Sequence, residues 1–310
     1  MDFDLSADQA AFIGAVAQVL EKHKTPPQLP VPSFVHYNDS LDCDLSANEY
    51  FDVARQEGYG ALEAALLVEA VAKLPCAVEV SASALAAPKL LASVLPRPIA
   101  VICGELMQPV RFLPQARTAL ICADQNVLVL DLAGIEIEET SGVVAYPYGR
   151  FSKRPDLSKA KVLSDNAQSR LEHWWRVGIT AEIAGAMQAA VHFTSEYVTN
   201  RQQFGRPLGS LQAIQHRLAT CAILSQQARW LALQAAWSGS PTDAMIALAN
   251  AQESLPQIIY DTHQFNGALG LTLEHGLHWF TYRLRGLQQE LGGIHEQAAC
   301  VADALWGTSV

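Results

Sequence analysis

Lysine stops at Lys161, and every basic residue after it other than histidine is arginine. Charge as a whole is scarce: 17% of the chain is Asp, Glu, Lys or Arg, against roughly 25% in an average soluble domain. Interfaces are depleted in Lys and enriched in Arg, so the C-terminal half reads as an association surface; a codon bias toward Arg is the alternative. The net charge of −10 excludes a nucleic-acid or anionic-membrane partner as the main reading. The six cysteines (Cys43, Cys76, Cys103, Cys122, Cys221 and Cys300) form no CxxC pair and no His-paired metal spacing. They are expected to be free thiols in a reducing cytoplasm. No apolar run approaches the roughly 20 residues of a membrane span, and the acidic start Met1-Asp-Phe-Asp-Leu-Ser has no signal-peptide character. There is no internal repeat and no low-complexity tract.

What is present is a chain of 310 residues, half of them hydrophobic, long enough for two or three domains. Ser6 predicts a helix running to about Lys22, with Phe12, Ile13, Val16, Val19 and Leu20 on its apolar side. Pro26, Pro27, Pro30 and Pro32 mark a connector. Ser46 is expected to start a second helix through Gln56, and Ala-rich helices follow at about 61–73 and 77–93, parted by Pro75. The texture then changes to short β-prone runs at Ile99–Cys103, Ala119–Ala123, Val127–Leu132, Ile135–Glu138 and Val143–Tyr146. Beyond Asp165 helical patterns return at 167–200, at 211–238, after Ser240-Pro241 with a kink at Pro256, and at 272–291, before Gly292-Gly293 and a short last helix. The expected fold is mainly α with a small central β-domain: 1–97 helical, 98–165 a reduced barrel-like β-domain of five or six strands, and 166–310 a four-helix bundle.

The stretch Asn200 to His216 organises the chain. Gly205, Pro207 and Gly209 break the helical pattern, and Ser210 is a plausible N-cap for a stripe of Leu211, Ile214, Leu218, Cys221, Ser225, Ala228, Ala232 and Ala235. A helix start beside Arg201 and Arg206 suits an anion such as a pyrophosphate. Arg201-Gln-Gln-Phe-Gly-Arg-Pro-Leu, followed by Gln212 and Gln215-His-Arg-Leu-Ala219, resembles the signature of the acyl-CoA dehydrogenase family. The resemblance implies FAD as cofactor, with Arg201, Gln202, Gln203, Phe204 and Gln212 reaching the flavin of a neighbouring subunit. A second stretch, His263-Gln-Phe-Asn-Gly-Ala-Leu-Gly-Leu-Thr-Leu-Glu-His275, resembles the family's Gln-x-x-Gly-Gly-x-Gly-x-Thr-x-Glu. Gln264, Gly267, Gly270, Thr272 and Glu274 fit it, and glycine lets backbone approach a phosphate; Ala268 stands where the second Gly is expected.

The family removes the proton α to a thioester with a Glu in one of two places. Counting from Phe204 puts Trp175 at one; counting from Glu274 puts Leu291 at the other, with Glu290 one residue away. One residue on a helix turns a side chain by about 100°, so Glu290 is the sole near candidate for a base. Glu182 reads as a structural carboxylate paired with an Arg, and the histidines and tryptophans as core or helix-face residues. The middle domain lacks the family's Thr-Glu-Pro…Gly-Ser-Asp segment. The resemblance therefore points to the short subunit of a heteromeric dehydrogenase of the steroid or bile-acid side-chain type. It implies a second, longer subunit as partner, an acyl-CoA substrate and an electron-transfer acceptor protein. A self-sufficient homotetramer using Glu290 and a non-catalytic scaffold are the alternatives.

Overall fold

The computed structural model describes residues 5–26, 35–142, 144–164, 166–203 and 205–307. Phe204 and the proline connector from Pro27 to Pro32 lie outside the described residues.

Helix α1 spans Ala7–Leu20 and starts with a capping box in which Gln9 N–H donates to Ser6 Oγ and Ser6 N–H to Gln9 Oε1. Helix α2 covers Asp39–Ala47, capped by Asn38. Ser46 therefore ends a helix rather than beginning one: Asn38 accepts from Leu41 N–H and claims the start, and residues 50–55 continue only as a 3-10 turn. Helix α3 is Ala61–Ala72. The expected helix over 77–93 is shorter and irregular, a π-type turn at Ser81–Ala86 running into α4, Ala87–Leu90.

The middle of the chain makes β1 (Ile99–Ile102), β2 (Val110–Arg111), β3 (Thr118–Ala123), β4 (Asn126–Asp131), β5 (Ile137–Thr140), β6 (Tyr148–Phe151) and β7 (Lys161–Leu163). One sheet has the order β1-β3-β4-β7, with β1 parallel to β3, and the other is antiparallel β2-β6-β5. The β3–β4 hairpin closes through Asp124 and Gln125, both at positive φ (46° and 68°), the backbone of a type I′ turn. Side chains of the two sheets meet in an apolar layer that includes Ile102, Leu113, Ile121, Leu130 and Phe151. No strand forms over the described residues 144–146, where one was expected. Tyr146 is instead buried against Phe112, and the strand comes two residues later.

Helices α5 (Ala167–Asn200), α6 (Gln212–Ser238), α7 (Pro241–Asn266), α8 (His278–Leu287) and α9 (Gly293–Trp306) complete the fold. From Trp175 to Met187 every residue of α5 is buried, which marks it as the central helix, covered on all sides. α3 crosses it at Gly185, where a Cβ would stand 2.3 Å from Glu69 O. Helix α6 begins at Gln212 with Leu211 as N-cap, not Ser210, whose Oγ donates to Pro207 O instead. Pro256 is accommodated inside α7, which runs unbroken to Asn266. The helix expected over 272–291 is present only as α8, because residues 272–277, following the Gly267–Leu271 3-10 turn, form turns rather than helix. Among the described residues no helix is long and apolar enough to cross a membrane.

Candidate functional site

Two regions carry the polar groups that matter, and they are built differently. One is a cleft of about 550 Å³ between β1, the loop after it, β2, α5 and the end of α8, lined by Cys103, Arg111, Tyr148, Trp175, Glu290 and Leu291 among others. The other is outward-facing and holds the residues singled out from sequence.

In the cleft, Arg111 on β2 is buried and lays Nη1 between the two carboxylate oxygens of Glu182 on α5, at 2.7 and 2.8 Å. Tyr146 O–H donates to Glu182 Oε1 at 2.6 Å, and Ser81 O–H to Oε2 at 3.2 Å. Glu182 is thus the Arg-paired carboxylate expected from its apolar surroundings. Glu290 Oε1 stands 3.0 Å from Arg111 Nε, so two carboxylates share one buried guanidinium. Burial pushes the Glu290 carboxyl above its usual range; Arg111 pulls it back, and Glu182 adds to the rise. The loop carrying Glu290 is pinned by buried amides: Gln252 Nε2 donates to Leu287 O and Glu290 O, and Gln297 Nε2 to Leu291 O. Leu291 takes a left-handed backbone (φ 52°) and packs toward the core. Glu290 stands on the cleft wall with Trp175 and Leu291. A carboxylate with a raised pKa on a cavity wall could take a proton from a carbon acid, but here a cation holds it.

The outward region begins at the end of α5. Gln202 and Gln203 pair with Pro207 and Arg206 in a two-residue ladder, β8–β9. Arg201, Gln202, Gln203 and Gln212 are all exposed. Arg201 borders a groove of about 390 Å³ with Phe193, Tyr197 and His275, and among the described residues its guanidinium has no ion-pair partner. Gln264 and Gly267 border a separate groove of about 570 Å³ with His263, Tyr260 and Arg285. Gly267 has φ +60° with open space where a Cβ would be, a backbone that a ligand can approach. Gly270 is buried in the turn, where a Cβ would meet Asn266 Cβ at 2.7 Å. Thr272 closes its own turn by donating to Leu269 O, and Glu274 is exposed. The turn from Gly267 to His275 lies between the two grooves and contributes to both. Neither groove shares a residue with the Glu290 cleft.

Two contributors escaped sequence reading. Arg285 is an exposed cation on α8 that borders the Gly267 groove; only the pairing of α8 with α7 reveals it. Arg111 lies in a short strand that no periodicity announces. Among the described residues no cluster of His, Cys, Asp and Glu is arranged to hold a metal.

Residues 165–305 match the family "Acyl-CoA dehydrogenase, C-terminal domain". Acyl-CoA dehydrogenase IpdE2 of Mycobacterium tuberculosis (strain ATCC 25618 / H37Rv) is 29% identical over 199 residues, covering 61% of this chain and 62% of that protein. The chain thus matches somewhat less than two thirds of that relative's length. Among solved structures, the ChsE4–ChsE5 complex from Mycobacterium tuberculosis contains a chain matching this one with a TM-score of 0.79, at 20% identity and full coverage of both. A variant of the Tcur3481–Tcur3483 steroid ACAD matches with a TM-score of 0.77 at 21% identity, covering 96% of this chain and 97% of that one. At such identities these two structures speak for the fold.

Proposed function

We propose that this chain, whose residues 165–305 match the acyl-CoA dehydrogenase C-terminal domain family, is the short subunit of a heteromeric, FAD-dependent acyl-CoA dehydrogenase. In this reading it contributes Arg201, Gln202, Gln203, Phe204, Gln212, Gln264, Gly267, Gly270, Thr272 and Glu274 to the FAD site of a longer partner. The carrying observation is placement. Arg201, Gln202, Gln203, Gln212 and Gln264 are all exposed, and Arg201 and Gln264 border grooves separate from the chain's own cleft.

These residues fit a dinucleotide's pyrophosphate. Arg201 and Arg285 are exposed guanidinium groups suited to bidentate phosphate contacts, and Gly267 leaves its backbone open to approach. The chain's own cleft fits a flavin ring poorly. Its wall carries the Arg111–Glu290 ion pair and Trp175, with Glu182 buried behind Arg111, and a ring laid over that pair would strip water from charges already matched to each other. When bound at the shared site, FAD supplies the acceptor for the hydride leaving the carbon β to the thioester. This chain's part is to hold the phosphates and to exclude water; the α-proton base belongs to the partner. The substrate class we propose is a CoA thioester carrying a steroid side chain, on the strength of the steroid ACAD among the structural neighbours. Electrons then pass to an electron-transfer protein.

A second reading draws on Glu290, whose raised pKa and cleft position are those of a base. In that case the chain works alone, as a homotetramer. The discriminating assay is acyl-CoA-dependent reduction of an artificial electron acceptor, run with this chain alone and with a longer acyl-CoA dehydrogenase chain that co-purifies with it. Turnover only in the mixture, with a steroid side-chain CoA ester, supports the subunit. Turnover by this chain alone contradicts it.

A further inference from the structure

Two of the six thiols, unremarkable in sequence, meet in the fold. β1 and β3 run parallel and in register, pairing Ile102 with Ile121, so the residues that follow each of these, Cys103 and Cys122, are carried side by side. Their sulfurs are 2.9 Å apart. Both are half-buried, and Cys103 lines the 550 Å³ cleft, so small solutes in that space reach the pair. The other four cysteines make no such contact: Cys43 is exposed, Cys76 and Cys221 are buried, and Cys300 lies on α9.

We propose that Cys103 and Cys122 form a redox-modifiable dithiol at the mouth of the cleft, oxidised to an intramolecular disulfide by thiol–disulfide exchange with a low-molecular-weight disulfide. Three features support it. Neighbouring strands lie about 4.7–4.9 Å apart, inside the range of about 4.4–6.8 Å that a disulfide spans between Cα atoms, and the two cysteines follow a paired position on such strands. The sulfurs already touch, so bond formation asks only for a side-chain rotation rather than movement of the sheet. The segment between them is tied at both ends to the same sheet, and Gly104, the first residue beyond Cys103, is exposed, so the loop leaving β1 has room to adjust.

The exchange balances as follows. The Cys103 thiolate attacks one sulfur of glutathione disulfide, forming a mixed disulfide and releasing one glutathione. The Cys122 thiol then gives up its proton and its sulfur attacks Cys103 Sγ, breaking the mixed disulfide and releasing a second glutathione. The protein loses two electrons and two protons, and glutathione disulfide gains them. Burial and the Cys122 contact hold the Cys103 thiol above its usual range, so little thiolate is present near neutral pH. The rate is therefore expected to climb about tenfold per pH unit below that pKa. The closed bond staples β1 to β3 at the edge of the Arg111 network, and the inference stands whether or not the flavin reading does.

The test uses the full-length protein, alone or in its complex, incubated with glutathione disulfide at several pH values, acid-quenched, alkylated and mapped by mass spectrometry. The expected product is a Cys103–Cys122 linked peptide with a mass loss of about 2 Da for the two hydrogens removed, formed faster at higher pH. Exposed Cys43 serves as the internal control that reagent was active, since it should acquire glutathione. Replacing the resolving thiol, Cys122→Ser, should leave Cys103 as a persistent mixed disulfide. Glutathione on Cys43 without any linked peptide at the highest pH would overturn the proposal. So would a link between any other pair, or separate glutathione adducts on Cys103 and Cys122 in the wild-type protein.

Discussion

At the scale of single residues, the pairing of Glu290 with Arg111 decides what its raised pKa is for. If the base resides in a partner subunit, Glu290→Gln leaves turnover of the complex within about twofold, whereas removing a general base costs roughly 10²–10⁴-fold. Flavin content measured in parallel separates lost chemistry from lost cofactor, and a drop of a hundredfold with full flavin would assign the base to this chain. A second residue sets acid tolerance. His173 on α5 is buried, both ring nitrogens lack a hydrogen-bond partner among the described residues, and its ring sits edge-on to Trp174 at 4.3 Å. Burial, with Arg176 and Lys89 nearby, lowers its pKa to about 4. The folded protein thus binds this proton less readily than the unfolded chain does, whose value is about 6.5. Stability from this group is complete above pH 6.5 and drains away as pH falls toward 4. His263, His275 and His278 are shifted the same way, chiefly by burial. Denaturant midpoints are expected to fall between those pH values, and His173→Phe should flatten that limb; an unchanged pH profile would show that His173 contributes nothing to it.

At the scale of elements, the long helices were legible and the turns were not. Helix α5 matches its expected limits because a long apolar stretch without proline has no other solution, and Ser240-Pro241 marks the start of α7 as anticipated. Ser210 failed as a cap because its hydroxyl reached back to Pro207 O, a local competition that spacing alone does not resolve. The short strands β2, β6 and β7 were missed since two to four residues carry no period, and their order depends on pairing across the domain. Glu182 was readable as an Arg-paired carboxylate and Glu290 as a near candidate, whereas Arg111, on a two-residue strand, was not, so the network joining the three was not legible. Helices α3 and α5 approach closely at Gly185, where a Cβ would meet Glu69 O. Gly185→Ala forces a Cβ into Glu69 O, and overpacking of this kind costs about 1–3 kcal/mol. The expected outcome is a lower denaturant midpoint with an unchanged slope, checked by urea unfolding. A wild-type midpoint would show that α3 shifts away freely.

At the scale of the whole molecule, α6 presents Ile223 (66% exposed) and Trp237 (71%) to solvent, and α9 presents Trp306 (76%). Large apolar side chains left outside by helices that contain no lysine are suited to burial against another subunit. Light scattering of the complex should therefore give an oligomer, and a soluble, folded monomer at micromolar concentration would argue against these faces as interfaces. The most direct test of the central claim is the flavin absorbance of this protein purified alone and purified with the longer chain. The account predicts no flavin in the first sample and retained FAD in the second. It also predicts that Arg201→Ala weakens that retention by about 1.5–3 kcal/mol, the worth of a hydrogen bond to a charged group. Stoichiometric flavin on this chain alone, or retention untouched by Arg201→Ala after dialysis, would contradict it.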